Sequence, residues 1–169
     1  MRSGGVRMKV IVAGAAMALL TAGACSSDNT ASDASASATE SSASPERDVS
    51  VEVKLSEFAV SAPASAQAGS LTFAVTNDGP EDVHEFVIIR TDLSSIDLPT
   101  DADGAVVEGG AGMEAVDEIE DIAVGDTQTL TVDLEAGSYV FICNILQTEP
   151  DGSLEAHYTE GMRTGFTVE

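Results

Sequence analysis

The chain is poor in basic residues. Its 169 residues include seven Lys and Arg against 29 Asp and Glu, which gives a formal net charge of −22 at pH 7. A surface with this balance repels the phosphates of nucleic acids and anionic lipid headgroups, so a nucleic-acid partner is excluded. The acidity is typical of a soluble or salt-tolerant surface, and a docking patch for a basic partner would have the same composition.

Long apolar runs are also scarce. The most apolar stretch, residues 10–20, follows three basic residues near the N-terminus, which is the arrangement of a secretory signal peptide. It is short for a membrane span. Residues 21–25, Thr-Ala-Gly-Ala-Cys, then resemble a bacterial lipobox. The resemblance implies a lipoprotein signal peptide over residues 1–24 and a lipid on Cys25, whereas an ordinary cleavage site beside a cysteine is the alternative.

Only two cysteines are present, Cys25 and Cys143. Two cysteines in an exported protein raise the question of a disulfide. A lipid on Cys25 would leave Cys143 without a partner, and a bridge would have to tie an unstructured tail to the end of the domain. Cys143 is then a buried packing residue, a metal ligand or a nucleophile.

Residues 26–48 contain no aromatic or branched apolar residue. Such a segment cannot bury enough surface to offset the entropy of ordering, so residues 25–48 are predicted to be a disordered tether. A flexible coil of this length would have a root-mean-square span of about 25 to 30 Å. Loss of residues 1–24 leaves four basic residues against 29 acidic ones, a formal charge of −25. We expect a lipid-anchored protein on the outer face of the cytoplasmic membrane.

Residues 49–169 read as one domain built from short strands. Segments 83–89 and 139–142 are densely apolar, and turn signals stand at 77–80, 124–126 and 136–137. Apolar and polar residues alternate at Val49, Val51, Val53 and Leu55, at Leu71, Phe73 and Val75, and at Leu130, Val132 and Leu134. This pattern predicts an all-β domain, an antiparallel β-sandwich with Greek-key connections.

One stretch does not follow the strand pattern. Residues 91–122 contain one proline and several glycines, and Ile119 and Ile122 near their end have helical spacing. We therefore predict a long loop with a short helix at about 91–122.

Histidine is as scarce as cysteine, with His84 and His157 the only two in the chain. In a strand, His84 would share a face with Phe86 and Ile88, and an unpaired imidazole among apolar residues is costly unless something binds it. Taken alone, a strand histidine is more often a satisfied core or edge residue.

The remaining donors follow late in the chain. Cys143 ends an apolar segment, and His157 and Met162 precede a last strand at 165–168. A buried cysteine or methionine is usually packing. Two imidazoles, one thiolate and one thioether together, however, form the trigonal plus weak axial set that suits copper in electron-transfer sites.

Three segments resemble the cupredoxin family of type 1 copper proteins: N-D-G-P-E-D-V-H-E-F-V, G-S-Y-V-F-I-C and H-Y-T-E-G-M-R-T-G-F-T-V. The resemblance implies a Greek-key β-sandwich with one type 1 copper ion at one pole. It also implies that His84, Cys143 and His157 are the in-plane ligands and Met162 the weak axial ligand.

The chain departs from the family pattern in two places. Thirteen residues separate Cys143 from His157, where the family usually has a few. Residues 145–156 could project as a hairpin with a turn at 150–152, or they could loosen the site. Glu85 stands where many blue copper proteins have an asparagine; an ionised carboxylate cannot donate a hydrogen bond to sulfur, so the reduction potential is not predicted.

These observations favour a copper-binding electron carrier that moves one electron between Cu(I) and Cu(II). An exposed edge of His157, with Met162, Ile145 and Leu146 around it, would be the electron doorway to a redox partner protein. We expect a monomer. The alternative is an extracytoplasmic copper-delivery or sensing module, which needs the same ligands.

Zinc and enzymatic functions are weaker alternatives. Structural zinc prefers four strong donors, and a thioether is a poor one. Multicopper oxidases and copper nitrite reductases need further histidine-rich centres, for which this chain has no histidines left. A Cys-His hydrolase would leave Met162 and the second imidazole without a role. We therefore predict that the protein is not an enzyme.

Overall fold

The computed structural model describes residues 49–169. The predicted signal peptide, Cys25 and the tether lie outside these residues. The elements, in chain order, are β1 Val49–Ser56, β2 Ala59–Ser61, β3 Ser65–Ala66, β4 Gly69–Asn77, β5 His84–Thr91, β6 Met113–Ile122, β7 Thr127–Leu134, β8 Gly137–Ile142, β9 Leu146–Thr148, β10 Leu154–Ala156, α1 His157–Glu160 and β11 Arg163–Val168. Across this range, no helix is both long and apolar enough to cross a membrane.

Two sheets form a sandwich. One has the strand order β2-β1-β4-β7 and the other β3-β11-β8-β5-β6, while β9 and β10 pair separately as a hairpin. Phe73 of the first sheet packs against Phe86, Phe141 and Phe166 of the second, with ring centroids 5.6, 5.4 and 6.1 Å apart. The predicted β-sandwich is confirmed, because the alternating apolar residues of β1 and β4 all point into this interface.

The sandwich is mixed rather than antiparallel throughout. Strand β1 pairs in parallel with β4, and β3 pairs in parallel with β11. Between β1 and β4 the chain visits the opposite sheet as β3, which supplies the crossover that a parallel pair requires. Alternation of apolar residues reports which face of a strand is buried but not the direction of its neighbour, so this feature was not predictable from the pattern.

The predicted helix near 113–122 is wrong, because these residues form β6. Ile122 lies opposite His84 and Ile119 opposite Phe86, so three steps along β6 match two along β5. This is a β-bulge, and Asp121 within it has a φ of 53°. A bulge shifts the alternation of faces, so inward residues recur after three positions and imitate helical spacing. The preceding long loop, 92–112, is confirmed apart from a bridge between Thr100 and Val106.

A second, smaller core lies on the other face of the β5/β8 sheet. Val87 and Ile89 of β5 and Val140 and Ile142 of β8 pack there with residues of the long loop and with Tyr158. The Tyr158 hydroxyl donates to the Ser95 carbonyl at 2.8 Å and accepts from the Leu98 N–H at 3.1 Å. Strands β5 and β8 are therefore buried on both faces, which explains their dense apolar sequences.

Candidate metal centre

His84 is held at the start of β5 by the turn that precedes it. The side-chain amide of Asn77, which is fully buried, donates to the carbonyls of Asp82 at 2.8 Å and Ile122 at 2.9 Å. Its oxygen accepts from the Gly79 N–H at 2.8 Å. One buried amide thus ties the turn 78–82 to the end of β6 and fixes the point at which His84 enters the sheet.

Backbone hydrogen bonds join the three later candidates. The Cys143 N–H donates to the Met162 carbonyl at 3.1 Å, and the Met162 N–H donates to the His157 carbonyl at 3.0 Å. The His157 N–H in turn donates to the Ile145 carbonyl at 3.0 Å. The chain therefore returns to the end of β8 after the hairpin, and α1 places His157 and Met162 beside Cys143.

The donor atoms of three residues converge. The Nδ1 atoms of His84 and His157 are 3.3 Å apart, and the Cys143 Sγ lies 3.9 and 3.4 Å from them respectively. A trigonal ion with bonds of about 2.0 Å to nitrogen and about 2.3 Å to sulfur holds its donors about 3.5 to 3.7 Å apart. All three side chains are fully buried. This group is placed to hold one metal ion, and a thiolate with two imidazoles is the donor chemistry that copper prefers.

Burial sets the protonation of the metal-free ligands. It raises the pKa of the Cys143 thiol to about 11, so a metal ion must displace the thiol proton to bind there. Burial also lowers the pKa of both imidazoles, and for His84 the nearby His157 lowers it further. Both rings are therefore neutral near pH 7, which is the form that binds metals.

Glu85 contributes to the centre in a way that its place in the sequence did not indicate. Its backbone N–H donates to the Cys143 Sγ at 3.4 Å, and its carboxylate accepts from the Asn144 N–H at 2.8 Å. Burial raises the pKa of this carboxyl to about 7. The sulfur thus receives its hydrogen bond from the backbone of Glu85, while the side chain fastens the residue after the cysteine.

Asn144 extends this attachment to the long loop. Its oxygen accepts from the Val106 N–H at 2.6 Å, and its amide donates to the Val106 carbonyl at 3.0 Å and to Glu108 at 2.8 Å. The only signal in the sequence was an asparagine directly after the cysteine, and its partners lie 38 and 36 positions away.

Met162 is fully buried in the same apolar cluster as Cys143. Its backbone is hydrogen-bonded to the backbones of both Cys143 and His157. Its role as weak axial ligand remains a prediction.

The expected exposed edge of His157 is wrong, because its side chain is fully buried. The Phe58 ring packs edge-on against the imidazole with centroids 5.4 Å apart. Carboxylate oxygens of Asp82 and Glu155 lie within 4.8 Å of a ring nitrogen. Nothing in the sequence marked Phe58, because it lies about 100 positions from His157 and belongs to no motif.

The insertion between Cys143 and His157 forms the hairpin β9–β10. Its turn is closed by the Gly152 N–H, which donates to the Glu149 carbonyl at 2.8 Å. This confirms the hairpin alternative. The looser site is not observed, because the hairpin leaves and rejoins the fold at residues 145 and 157, which are themselves hydrogen-bonded.

No family model matches the chain, and no curated protein matches it. Several solved structures are similar in shape. An auracyanin from Roseiflexus castenholzii, reduced with dithionite, is 19% identical with a TM-score of 0.49 over 72% of this chain and 97% of that chain. Auracyanin A from Chloroflexus aurantiacus, described as a blue copper protein, is 16% identical with a TM-score of 0.47 over 72% and 98%. Rusticyanin from Thiobacillus ferrooxidans is 17% identical with a TM-score of 0.44 over 71% and 77%.

At these identities and TM-scores the similarities carry no inference about function. Support for a function comes instead from the two sheets and the converging side chains of the described residues. Strand β5 begins at His84 and its neighbour β8 ends just before Cys143, so the metal-binding group occupies one pole of the sandwich. Two packed β-sheets with a buried His-Cys-His group at one pole are the arrangement that the sequence resemblance to the cupredoxin family implies.

Proposed function

We propose that this protein binds one copper ion through His84, Cys143 and His157, with Met162 as a weak fourth ligand, and that it carries single electrons. The observation that supports the proposal is the convergence of two ring nitrogens and one sulfur inside a buried pocket. When bound, copper supplies the one-electron change between Cu(I) and Cu(II). A thiolate and two imidazoles suit both oxidation states.

The surrounding residues would keep the ligands in place during that change. His84 belongs to a central strand, and the other ligands are joined by the backbone hydrogen bonds described above. The Glu85 N–H would stabilise the negative charge on the thiolate. The burial of all three side chains would keep water from the donors. We propose a carrier and not an enzyme, because the whole chain has no third histidine for a further catalytic centre.

Reconstitution with Cu(II) tests the proposal. We expect an intense visible absorption band from thiolate-to-copper charge transfer, its loss on addition of ascorbate, and a reversible wave in voltammetry. Cys143→Ser should abolish the band, whereas Cys25→Ser, which alters the other cysteine, should leave it unchanged. A colourless complex of the unaltered protein would contradict the proposal.

Copper delivery or sensing, the alternative function, would use the same ligands. The rate of copper exchange distinguishes it from electron transfer. Rapid transfer of copper to a competing chelator, together with no reversible wave, would favour delivery. Retention of copper through repeated oxidation and reduction would favour electron transfer.

We further propose that the domain works outside the cytoplasmic membrane, anchored by a lipid on Cys25 and meeting a redox partner protein as a monomer. The signal-like residues 1–24 and the lipobox-like residues 21–25 support this proposal. Labelling of growing cells with a radioactive fatty acid should mark the protein. Cys25→Ala should lose the label, and Cys143→Ala should keep it; equal labelling of both variants would contradict the anchor.

A further inference from the structure

A cavity of about 260 Å³ lies next to the candidate metal centre, because Phe58, one of its lining residues, packs against the His157 ring. It is lined by five carboxylates, those of Glu57, Glu81, Asp82, Glu149 and Glu155. Like charges in one site repel, and a shared proton or a bound cation relieves that repulsion. The basic side chains of residues 49–169 do not meet this need: Lys54 pairs with Asp78, Arg90 with Glu135, and Arg163 donates to the carbonyls of Tyr158 and Thr159.

The Gln147 amide satisfies part of the cluster. Its nitrogen donates to Asp82 at 2.9 Å and to Glu149 at 3.2 Å. Glu155 receives no such bond within the part of the chain that the structure describes. It lies on β10 directly before Ala156 and His157, so the hairpin brings this carboxylate to the outer side of the metal centre.

His157 supplies a second, independent feature that points to a ligand. Its Nδ1 faces Cys143 and His84, but its Nε2 is buried and has no hydrogen-bond partner among the described residues. One ring nitrogen of His157 and one oxygen each of Asp82 and Glu155 lie within 4.8 Å of one another without a direct hydrogen bond. Three donors are thus grouped around one point. The buried Nε2 of His157, which has no hydrogen-bond partner among the described residues, is available to bind an ion there.

We propose that Asp82, Glu155 and the Nε2 of His157 form an outer site for a divalent transition-metal ion, next to the inner His84-Cys143-His157 site. One imidazole with two carboxylates is a donor set that Zn(II) accepts. With the inner site free, the neutral ring keeps its proton on Nδ1 and offers the Nε2 lone pair. With both sites filled, His157 would bind through both ring nitrogens, and its remaining ring proton would pass to solvent.

Zn(II) titration of the full chain by calorimetry tests this site without copper. In a Cys143→Ser background, where the inner site has lost its thiolate, we expect one Zn(II) per chain. Adding Glu155→Gln should weaken that binding at least tenfold. Asp151→Asn is the matched control, because it removes the same charge from the exposed tip of the same hairpin and keeps the oxygen that accepts from Ser153. It should change binding less than twofold.

The two histidines also allow a direct readout. Ring-proton NMR of the Cys143→Ser protein should show Zn(II) moving the His157 resonances, and Glu155→Gln should abolish that movement. Absence of Zn(II) binding in Cys143→Ser, or equal weakening by Glu155→Gln and Asp151→Asn, would overturn the outer site. Failure of the protein to form a blue copper complex would overturn the proposed function and leave this result untouched.

Discussion

Asn77 shows how a single buried side chain can hold a metal ligand that it does not touch. Its side-chain amide donates two hydrogen bonds and accepts one, all with backbone groups of the turn before His84 and of β6. The sequence placed Asn77 in a turn signal, yet its contact with the Ile122 carbonyl spans 45 positions. Local turn chemistry is visible in a sequence, whereas a bond across strands is not.

Asn77→Ala should destabilise the fold by about 2 to 3 kcal/mol, because buried carbonyls lose their donors. Thr129→Ala, an exposed position on β7, is the control and should stay within about 0.5 kcal/mol. Chemical denaturation of the metal-free protein measures both. Equal stability of the two variants would show that the turn holds itself without the amide.

Gly161 is the glycine that the metal centre requires. It ends α1 with a φ of 136°, and an added Cβ would lie 2.8 Å from the Phe58 carbonyl oxygen. Residues with a side chain rarely adopt this backbone conformation, so the turn that joins His157 to Met162 depends on glycine.

Gly161→Ala should therefore lower stability by about 1 to 3 kcal/mol and weaken copper binding, since the turn must shift. Gly109→Ala provides the control, because that glycine has no positive φ and open space around it. Thermal unfolding with and without Cu(II) reports both effects. A Gly161→Ala protein that matches Gly109→Ala in both measurements would contradict the steric argument.

At the scale of elements, the alternation of apolar residues predicted β1, β4 and β7, and the apolar density predicted β5 and β8. Strand β6 escaped prediction because its two bulges depend on pairing with β5, and a bulge exists only relative to a partner strand. The hairpin β9–β10 was one of two alternatives, since an insertion of this length between two ligands could also have loosened the site.

The tip of this hairpin should be dispensable for folding. Its strands are short, and Leu146 and Leu154 are 36% and 51% exposed. Replacing residues 149–153 by an Asn-Gly turn, which suits a two-residue hairpin loop, should change the free energy of unfolding by less than about 1 kcal/mol. The visible copper band should remain. Loss of cooperative unfolding in this variant would instead make the hairpin part of the folding core.

At the scale of the whole molecule, the main feature is the excess of acidic over basic side chains. The described residues carry three basic and 24 acidic side chains, a formal charge of −21. Of these cations, Lys54 and Arg90 are bound in surface ion pairs, which contribute little to stability. Self-repulsion of the remaining carboxylates opposes the compact state.

Raising NaCl from about 10 mM to about 0.5 M should therefore raise the melting temperature by a few degrees, since the Debye length falls from about 30 Å to below 10 Å. Sucrose at matched osmolality distinguishes screening from solvent exclusion, which stabilises any fold. A melting temperature that does not rise with salt would show that the acidic side chains are too far apart to repel.

The sequence by itself determined the all-β class, the approximate strands and the four candidate ligands, because period-two alternation and rare metal-binding residues are local properties of a chain. Only the tertiary structure decided which carboxylates surround His157, that its imidazole is buried, and that the Glu85 backbone donates to the Cys143 sulfur. Apart from Glu155, which is two positions from His157, these features join residues 58 to about 100 positions apart. Such distances close only when two sheets pack and fix every strand against its neighbours.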